Sequence, residues 1–343
     1  MLLYNVTKCP QVLDVNRSSF PITIYPGMVF EPSNMKNVMD EFFKPFDVSA
    51  FRNKNRVGFI RDFAMGDLIQ LIPVVRYFKK YYNVKEVVIF TSDEYRILLK
   101  ALFPDLKFMT SMSVNQNHKC DILFNMNGLL EKDHSCTNDE RNNHRVDVFL
   151  SNVGISEHPK LDWNPSVPLW LNGVEFVKEN KSIGLQIRGS GCMKTLPFDY
   201  VKEIAKELSK TYQVVLIDQS TDMGFEGTNI VNLCGKLNPI QVTALLSKLD
   251  CCITMDSGVL WLAHVANCPV LTLLGPTREH ERISLHPQYP LKAKSISISE
   301  MMGCTPCFET RAHCNGRIRC MKDFDRNKLL ESIKIKISEI VGA

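Results

Sequence analysis

Residues 57–82 read VGFIRDFAMGDLIQLIPVVRYFKKYY, and the reading of this stretch decides the fold. Val57 to Ile60 is a short apolar run of strand length. Met65-Gly66-Asp67 follows, and apolar residues then recur at Leu68, Leu71, Ile72, Val75, Phe78 and Tyr82. That spacing lays one apolar stripe along a helix. A strand passing directly into an amphipathic helix is the first part of a strand–helix–strand unit.

The same alternation continues outward. Val87 to Phe90 reads as a strand, Tyr95 to Phe103 as a helix, and Asp121 to Phe124 as a further strand. Trp163-Asn164-Pro165-Ser166-Val167-Pro168 breaks the pattern with two prolines and is read as a linker. Beyond it, strands are expected at Ile183–Ile187, Gln213–Ile217, Cys252–Met255 and Pro269–Leu274. Helices are expected after the first of these, with Val201, Ile204, Ala205, Leu208 and Tyr212 on one face, and at Ile240–Leu249, from Gly258 to about Ala266, and at Asp325–Val341. Strands alternating with helices imply parallel sheets covered on both faces, and two such halves imply a ligand cleft between them. Ahead of them, apolar runs such as Pro21 to Tyr25 are broken by Pro26-Gly27, and a helix is expected from Asn34 to Phe43 with Ser33 as its cap. The chain therefore divides into a small β-rich N-terminal appendage (1–54), a first α/β domain (55–165) and a second (166–343).

Composition bounds the function. At about 150 residues per domain, 343 residues make roughly two domains. With 45% hydrophobic and 23% charged residues, the chain is neither disordered nor collagen-like nor a small disulfide scaffold. Lys+Arg exceeds Asp+Glu by 41 − 37 = 4, spread without long runs, which does not mark a nucleic-acid binder. No run of 18 apolar residues occurs and the N-terminus lacks the pattern of a signal peptide, so a soluble, cytoplasmic protein is expected. Of the 12 cysteines, most are scattered, and Cys251 and Cys252 sit in an apolar run as small hydrophobes.

Three strand-to-helix junctions carry the chemistry. Asp67 follows Gly66 at the edge of the first domain's sheet, where it is either a base facing the ligand or a helix N-cap. Asp256-Ser257-Gly258 opens a helix whose free N–H groups suit a phosphate, although capping by Asp256 or Ser257 explains the same tripeptide. Arg188-Gly189-Ser190-Gly191-Cys192-Met193-Lys194 is a short Gly/Ser loop flanked by cations. It can cradle a diphosphate or simply be a solvated loop, and it does not match the P-loop pattern.

Taken in order, these pieces resemble glycosyltransferase family 9, the ADP-heptose–lipopolysaccharide heptosyltransferases. The resemblance rests on Val57 through Asp67 with Pro73 behind, Ile183 through Lys194 and Pro197, and Leu233-Cys234-Gly235-Lys236. It continues in Asp256-Ser257-Gly258 through Ala263, Pro269-Val270 and Leu274-Gly275-Pro276-Thr277. It covers about residues 55–340. It implies two Rossmann-like domains facing a cleft (the GT-B fold) and inverting transfer of heptose from ADP-heptose without a catalytic metal. It implies Asp67 as the base, and Arg188, Ser190, Lys194, Gly235, Asp256, Ser257, Gly258 and His264 as donor-binding residues. Where the family usually carries His, three residues after the motif glycine, this chain has Trp261, with His264 one turn later. That departure bears on the identity of the donor. The implied acceptor is a cell-envelope glycan of the lipopolysaccharide core type, met at the inner face of the cytoplasmic membrane. The alternatives are another nucleotide sugar, a lipid-linked or protein acceptor, or an inactive nucleotide-binding scaffold. Release of ADP from ADP-heptose separates the enzymes from the scaffold.

Cys304, Cys307, Cys314 and Cys320 lie within 17 residues, in a stretch with Gly303, Pro306 and Gly316 and little apolar periodicity. Such a segment cannot bury a core of its own, and a tetrahedral metal bound by four thiolates supplies the missing constraint. Zinc is the first expectation and iron the second. Reduced thiols or disulfides are the alternatives. The cluster is assigned to stability, not to catalysis.

Overall fold

The computed structural model describes residues 54–116, 119–130, 144–155, 159–164, 174, 176–189, 191–220, 224–225, 227–282, 293–304 and 317–342, together with five strand backbones nearer the N-terminus. The chain forms two compact units: Met1–Leu130 with Val146–Asp162, and Glu131–Arg145 with Trp163–Ala343. Residues 131–145 thus belong to the second unit, a crossing that the hydrophobic pattern does not reveal.

The strands of the first unit are β1 (Leu3–Asn5), β2 (Gln11–Leu13), β3 (Ile22–Ile24), β4 (Met28–Phe30), β5 (Phe43–Pro45), β6 (Arg56–Ile60), β7 (Glu86–Thr91), β8 (Lys107–Thr110) and β9 (Ile122–Asn125). Seven of them form one sheet in the order β5-β1-β4-β9-β6-β7-β8, while β2 and β3 pair separately. The block from β4 to β8 is parallel, and β1 runs antiparallel to both its neighbours. The backbones of β1, β4 and β5 therefore extend the same sheet as β6. Most of the helix expected at 34–43, its cap Ser33 and the prolines of the linker lie outside the described residues, and Phe43 begins β5.

The second unit holds β10 (Ser182–Gln186), β11 (Gln213–Ile217), β12 (Ile230–Asn232), β13 (Cys251–Met255), β14 (Val270–Leu274) and β15 (Ala293–Ser297). All six are parallel in the order β12-β11-β10-β13-β14-β15. Numbered from β10, this is the 3-2-1-4-5-6 order of a dinucleotide-binding sheet, and its strand order reverses between β10 and β13. The first unit reverses in the same way between β6 and β9. In each unit the reversal leaves a crevice at the carboxyl ends of the strands, where ligands bind in such sheets.

Burial explains these elements. The helix Met65–Tyr81 turns Leu68, Leu71, Ile72, Val75 and Phe78 onto the sheet, all fully buried. Phe59 stacks on Phe124 with ring centroids 5.3 Å apart, and Phe78 meets the two rings edge-on at 5.3 and 5.7 Å. Such aromatic pairs contribute about 0.5–1.5 kcal/mol beyond the area they bury. In the second unit, Val201, Ile204 and Leu208 of the helix Phe198–Leu208 share one core with Leu329, Ile333 and Ile337 of the helix Arg326–Val341. The Tyr200 hydroxyl donates to the Arg326 carbonyl at 2.8 Å and fastens the start of the last helix to that core.

Gly58 shows how tightly β6 is packed. A Cβ at this position would lie 2.6 Å from Leu123 Cδ1, 2.9 Å from Phe90 Cε2 and 3.0 Å from Cys120 Sγ. Leu123 and Phe90 are themselves fully buried and have nowhere to move. Gly58→Ala is expected to destabilise the protein by about 1–3 kcal/mol, as overpacking does. Urea unfolding of the variant against the parent chain checks this.

Candidate functional site

In the first unit the site is built where β6 ends. Ala64 occupies the cap position of the helix Met65–Tyr81 and carries no side-chain cap bond, so Asp67 is not the N-cap that its residue type allowed. Asp67 stands in the first turn, where the positive end of the helix dipole favours a carboxylate. It is buried, and its Oδ2 accepts a 2.6 Å hydrogen bond from Arg61 Nη2. Arg61, 1% exposed, also donates through Nη1 to the Met126 carbonyl at 2.9 Å, in the segment just after β9. The guanidinium thus ties the two strand ends at the reversal point and fixes the orientation of the carboxylate. Arg61 is part of the quoted motif, but only the fold shows which acidic group it holds.

In the second unit the loop after β10 folds back on itself. The Gly189 N–H donates to the Lys194 carbonyl at 2.8 Å, and a Cβ on Gly189 would come within 2.3 Å of that oxygen. Only glycine allows this closure, which directs Lys194 into the interior. Lys194 Nζ lies 3.0 Å from Asp256 Oδ2. The same carboxylate accepts from Arg282 Nε at 2.8 Å and from Thr277 Oγ1 at 3.0 Å. Burial by itself would push the Asp256 carboxyl up. The charges of Arg282, Lys194 and Arg145 overcome that and hold it well below the usual carboxylate range. Burial lowers the Lys194 ammonium, with Asp256 opposing the shift and Arg282 adding to it. Lys194 is therefore neither remote from other charges nor a solvated loop lysine. It belongs to a cluster in which Lys194, Arg282 and Arg145 face Asp256, with Glu281 3.6 Å from Arg282 Nη1.

Sequence reasoning missed Arg145 and Arg282. Arg282 is fully buried, and it follows Thr277, the end of the last quoted stretch, by five residues. Its charge next to a buried carboxylate is visible only once β14 and the short helix Glu279–Arg282 are placed.

Ser257 caps the helix Gly258–Val265. Its Oγ accepts from the Val259 N–H at 3.3 Å and donates to Gln186 Oε1 at 2.7 Å. Of the two roles open to it, the structure thus shows the cap, and the hydroxyl proton is directed at Gln186. Gln186 Oε1 also accepts from Thr254 Oγ1, and its Nε2 donates to the Arg188 carbonyl at 2.8 Å. This one side chain pins the ends of β10 and β13 together. Gly258 begins the helix. Arg188 pairs with Asp218 through Nη2 at 2.5 Å and Nε at 3.1 Å. The Gly235 N–H donates to the Asp218 carbonyl at 2.7 Å, which draws these two candidates to one residue at the end of β11. Asp218 sits where dinucleotide-binding sheets carry the acidic residue that meets a ribose. Ser190 lies outside the described residues.

Trp261 is 2% exposed and stacks on Trp163 (centroids 6.2 Å, interplanar angle 16°), with His144 and His264 tilted against it at 6.3 and 5.3 Å. Burial holds the His264 pKa down at about 3, so the ring is neutral and brings no charge to a diphosphate. It stands one turn after Trp261, as the sequence places it. Cys304 is half-buried just beyond the helix Ile298–Met301, and Cys320 is buried in the turn Arg319–Met321, which packs against that helix. Cys307 and Cys314 lie outside the described residues, and no group of three or more metal-ligating side chains gathers among the described ones. No helix among the described residues is long and apolar enough to cross a membrane.

A family model described as glycosyltransferase family 9 (heptosyltransferase) matches residues 156–316. No curated protein sequence matches the chain. Among solved structures, the family 9 glycosyl transferase of Veillonella parvula DSM 2008 is similar over 84% of this chain and 97% of its own, at 14% identity and a TM-score of 0.61. The ADP-heptose lipopolysaccharide heptosyltransferase II of E. coli is similar over 82% and 98%, at 16% identity and a TM-score of 0.60. The iron-containing dodecameric glycosyltransferase TibC of enterotoxigenic E. coli H10407 is similar over 98% and 95%, at 14% identity and a TM-score of 0.63. At these identities the structures show a shared fold, the two α/β units of GT-B glycosyltransferases. The resemblance drawn from the sequence is borne out, and with it the expectation of a glycosyltransferase.

The neutral, buried His264 has a consequence for acid stability. Between pH 6.5 and about 3 the unfolded chain binds a proton at this ring that the folded chain does not, so stability falls as pH drops through that window and is complete above it. From pH 7 to pH 5 this one group is expected to remove about 2 kcal/mol, at about 1.4 kcal/mol per unit. Urea unfolding at both pH values, with His264→Gln as the non-titrating control, reads the difference directly.

Proposed function

We propose that this glycosyltransferase moves heptose with inversion from ADP-heptose to a glycan acceptor of the cell envelope. The observation that carries the reading is the cation cluster around Asp256, at the reversal point of a dinucleotide-binding sheet. As the bond between the sugar and the diphosphate breaks, negative charge grows on the departing ADP and positive charge on the sugar ring. A helix N-terminus supplies about 0.3–1 kcal/mol at exposed sites and up to roughly 2 when partly buried. At about 1.4 kcal/mol per factor of ten, the helix opened by Ser257 is too weak to act alone. Lys194, Arg282 and Arg145 add fixed charges in a buried setting, where they act more strongly than in water. Gly235 and Arg188 gather at Asp218, which is assigned to the ribose. In the first unit Asp67 takes the proton of the acceptor hydroxyl as its oxygen attacks the anomeric carbon, and Arg61 holds that carboxylate in place. No metal enters these steps.

The acceptor side includes lipid-linked glycans, and peripheral contact with the inner face of the cytoplasmic membrane follows from such an acceptor. Asp67→Asn keeps the size of the side chain but cannot accept a proton. It is expected to lower transfer by at least about a hundredfold while ADP affinity stays unchanged. The measurement is ADP release from ADP-heptose in the presence of a lipopolysaccharide core acceptor, with calorimetric ADP binding alongside. Wild-type turnover in the variant would remove Asp67 from the mechanism, and no ADP release by the parent chain would favour another nucleotide sugar or a scaffold.

The four C-terminal cysteines are assigned to one structural metal ion. Cys304 and Cys320 are brought to neighbouring elements, which supports the grouping, and Cys307 and Cys314 complete a set of four thiolates. TibC is described as iron-containing, which raises iron beside zinc as the ion. Elemental analysis of protein purified without chelator is expected to give about one equivalent of iron or zinc. Cys304→Ser should lower both the metal content and the melting temperature.

A further inference from the structure

The loop between β6 and the helix Met65–Tyr81 carries a phenyl ring that the mechanism above does not use. Phe63 is 69% exposed and stands four residues before Asp67. Single apolar side chains at a surface are ordinary. What sets this one apart is how firmly its neighbours are held. Arg61 is anchored to Asp67 and to the Met126 carbonyl. Asp62 exchanges two hydrogen bonds with Asn127: its N–H donates to Oδ1 at 2.9 Å, and Asn127 Nδ2 donates to its Oδ2 at 2.9 Å. The Asn127 N–H in turn donates to Asn125 Oδ1 at 3.0 Å. On the other side Ala64 has φ of 63°, in the left-handed region that a residue with a Cβ enters only when its surroundings compel it. The ring is thus presented to water by a braced and locally strained loop. It stands at the carboxyl edge of the first sheet, where the strand order reverses between β6 and β9.

We propose that Phe63 is an acceptor-positioning residue, and that the acceptor presents to it the C–H face of a saturated sugar ring. The proposal rests on the reading of Asp67 as the base of a glycosyl transfer, and it adds what the acceptor offers to the first unit. The face of a phenyl ring is electron-rich, and it attracts the slightly positive C–H groups on one side of a pyranose. The hydroxyl groups around the rim of that sugar find polar neighbours in Asp62 and Asn127. A lipid tail or an apolar peptide face needs a broad apolar lining to be buried well. Among the described residues, its chain neighbours are half-buried Asp62 and exposed Ala64, and half-buried Asn127 is bonded to Asp62, so the ring has polar and small groups beside it. That combination suits an amphipathic sugar ring. Because the loop is already braced, little freedom is lost when the acceptor docks. Stacking at Phe63 holds the sugar within a short stretch of chain from Asp67 and so selects which hydroxyl is presented to it.

The test uses the full chain, Phe63→Ala and Phe63→Trp, with methyl glycosides of hexoses and heptoses as probes and no donor present. Saturation-transfer NMR should show signal on the ring C–H protons of at least one glycoside with the parent chain and with Phe63→Trp. With Phe63→Ala the affinity should be about fivefold weaker. Melting temperature and ADP affinity should be the same in all three proteins. Equal transfer in the parent chain and Phe63→Ala, or no transfer to any glycoside in the parent chain, would overturn the proposal. So would dodecyl maltoside responding through its alkyl chain and not through its sugar protons. ADP release from ADP-heptose by the parent chain is measured separately, so failure of the sugar platform and failure of the heptosyl-transfer reading give different results.

Discussion

Asp256 is buried and ionised, and much of the second unit is arranged so that it can be. Removing a carboxylate from water costs several kcal/mol, and only well-placed partners offset that. The partners arrive from three separate stretches of chain. Lys194 comes from the loop after β10, Arg282 from the short helix after β14, and Arg145 from the segment that crosses over from the first unit. The closure of the Gly189 loop, the Gln186 brace between β10 and β13 and the position of Thr277 all serve to hold this one group. A cluster of this kind adds little stability over well-packed apolar residues of the same volume. Perturbed buried charges of this kind gather at sites that do chemistry more often than elsewhere.

The first unit uses a smaller version of the same device. Arg61 and Asp67 form a buried pair, again where the strand order of a parallel sheet reverses. The pair has a mechanical effect as well as an electrostatic one. By reaching the Met126 carbonyl, Arg61 joins the segments that follow β6 and β9, and the Asp62–Asn127 exchange repeats that link one residue further on. Loops at the carboxyl edge of a sheet are ordinarily its most mobile parts. Here the loop before Asp67 is fixed by side-chain bonds on one side and by the left-handed Ala64 on the other.

Several elements were plain in the sequence for a simple reason. The helix Met65–Tyr81 and the strands β6, β7, β10, β11, β13 and β14 are buried, so apolar residues recur in them with the period of the element. From β6 onward, the strands that were not foreseen are β8, β12 and β15, and each lies at the edge of its sheet. Edge strands are short and polar because an exposed apolar edge invites unwanted pairing. Lys107 to Thr110, Ile230 to Asn232 and Ala293 to Ser297 accordingly leave no apolar pattern.

The amino-acid sequence by itself determined two α/β units, the order of their motifs and the residue types at each strand-to-helix junction, because these depend on neighbours within a few positions along the chain. The resemblance to family 9 was legible in the same local patterns. Tertiary structure alone decided which distant partners several of those residues meet. The Ser257 hydroxyl proton found its acceptor once Gln186 came within reach, Lys194 became one member of a charge cluster once Arg282 and Arg145 were placed, and His264 became a neutral ring once it was buried. The partners lie 26 residues from Asp256 in Arg282 and 71 from Ser257 in Gln186. Charge, burial and hydrogen bonding depend on distance in space, and at such separations along the chain no local pattern records it.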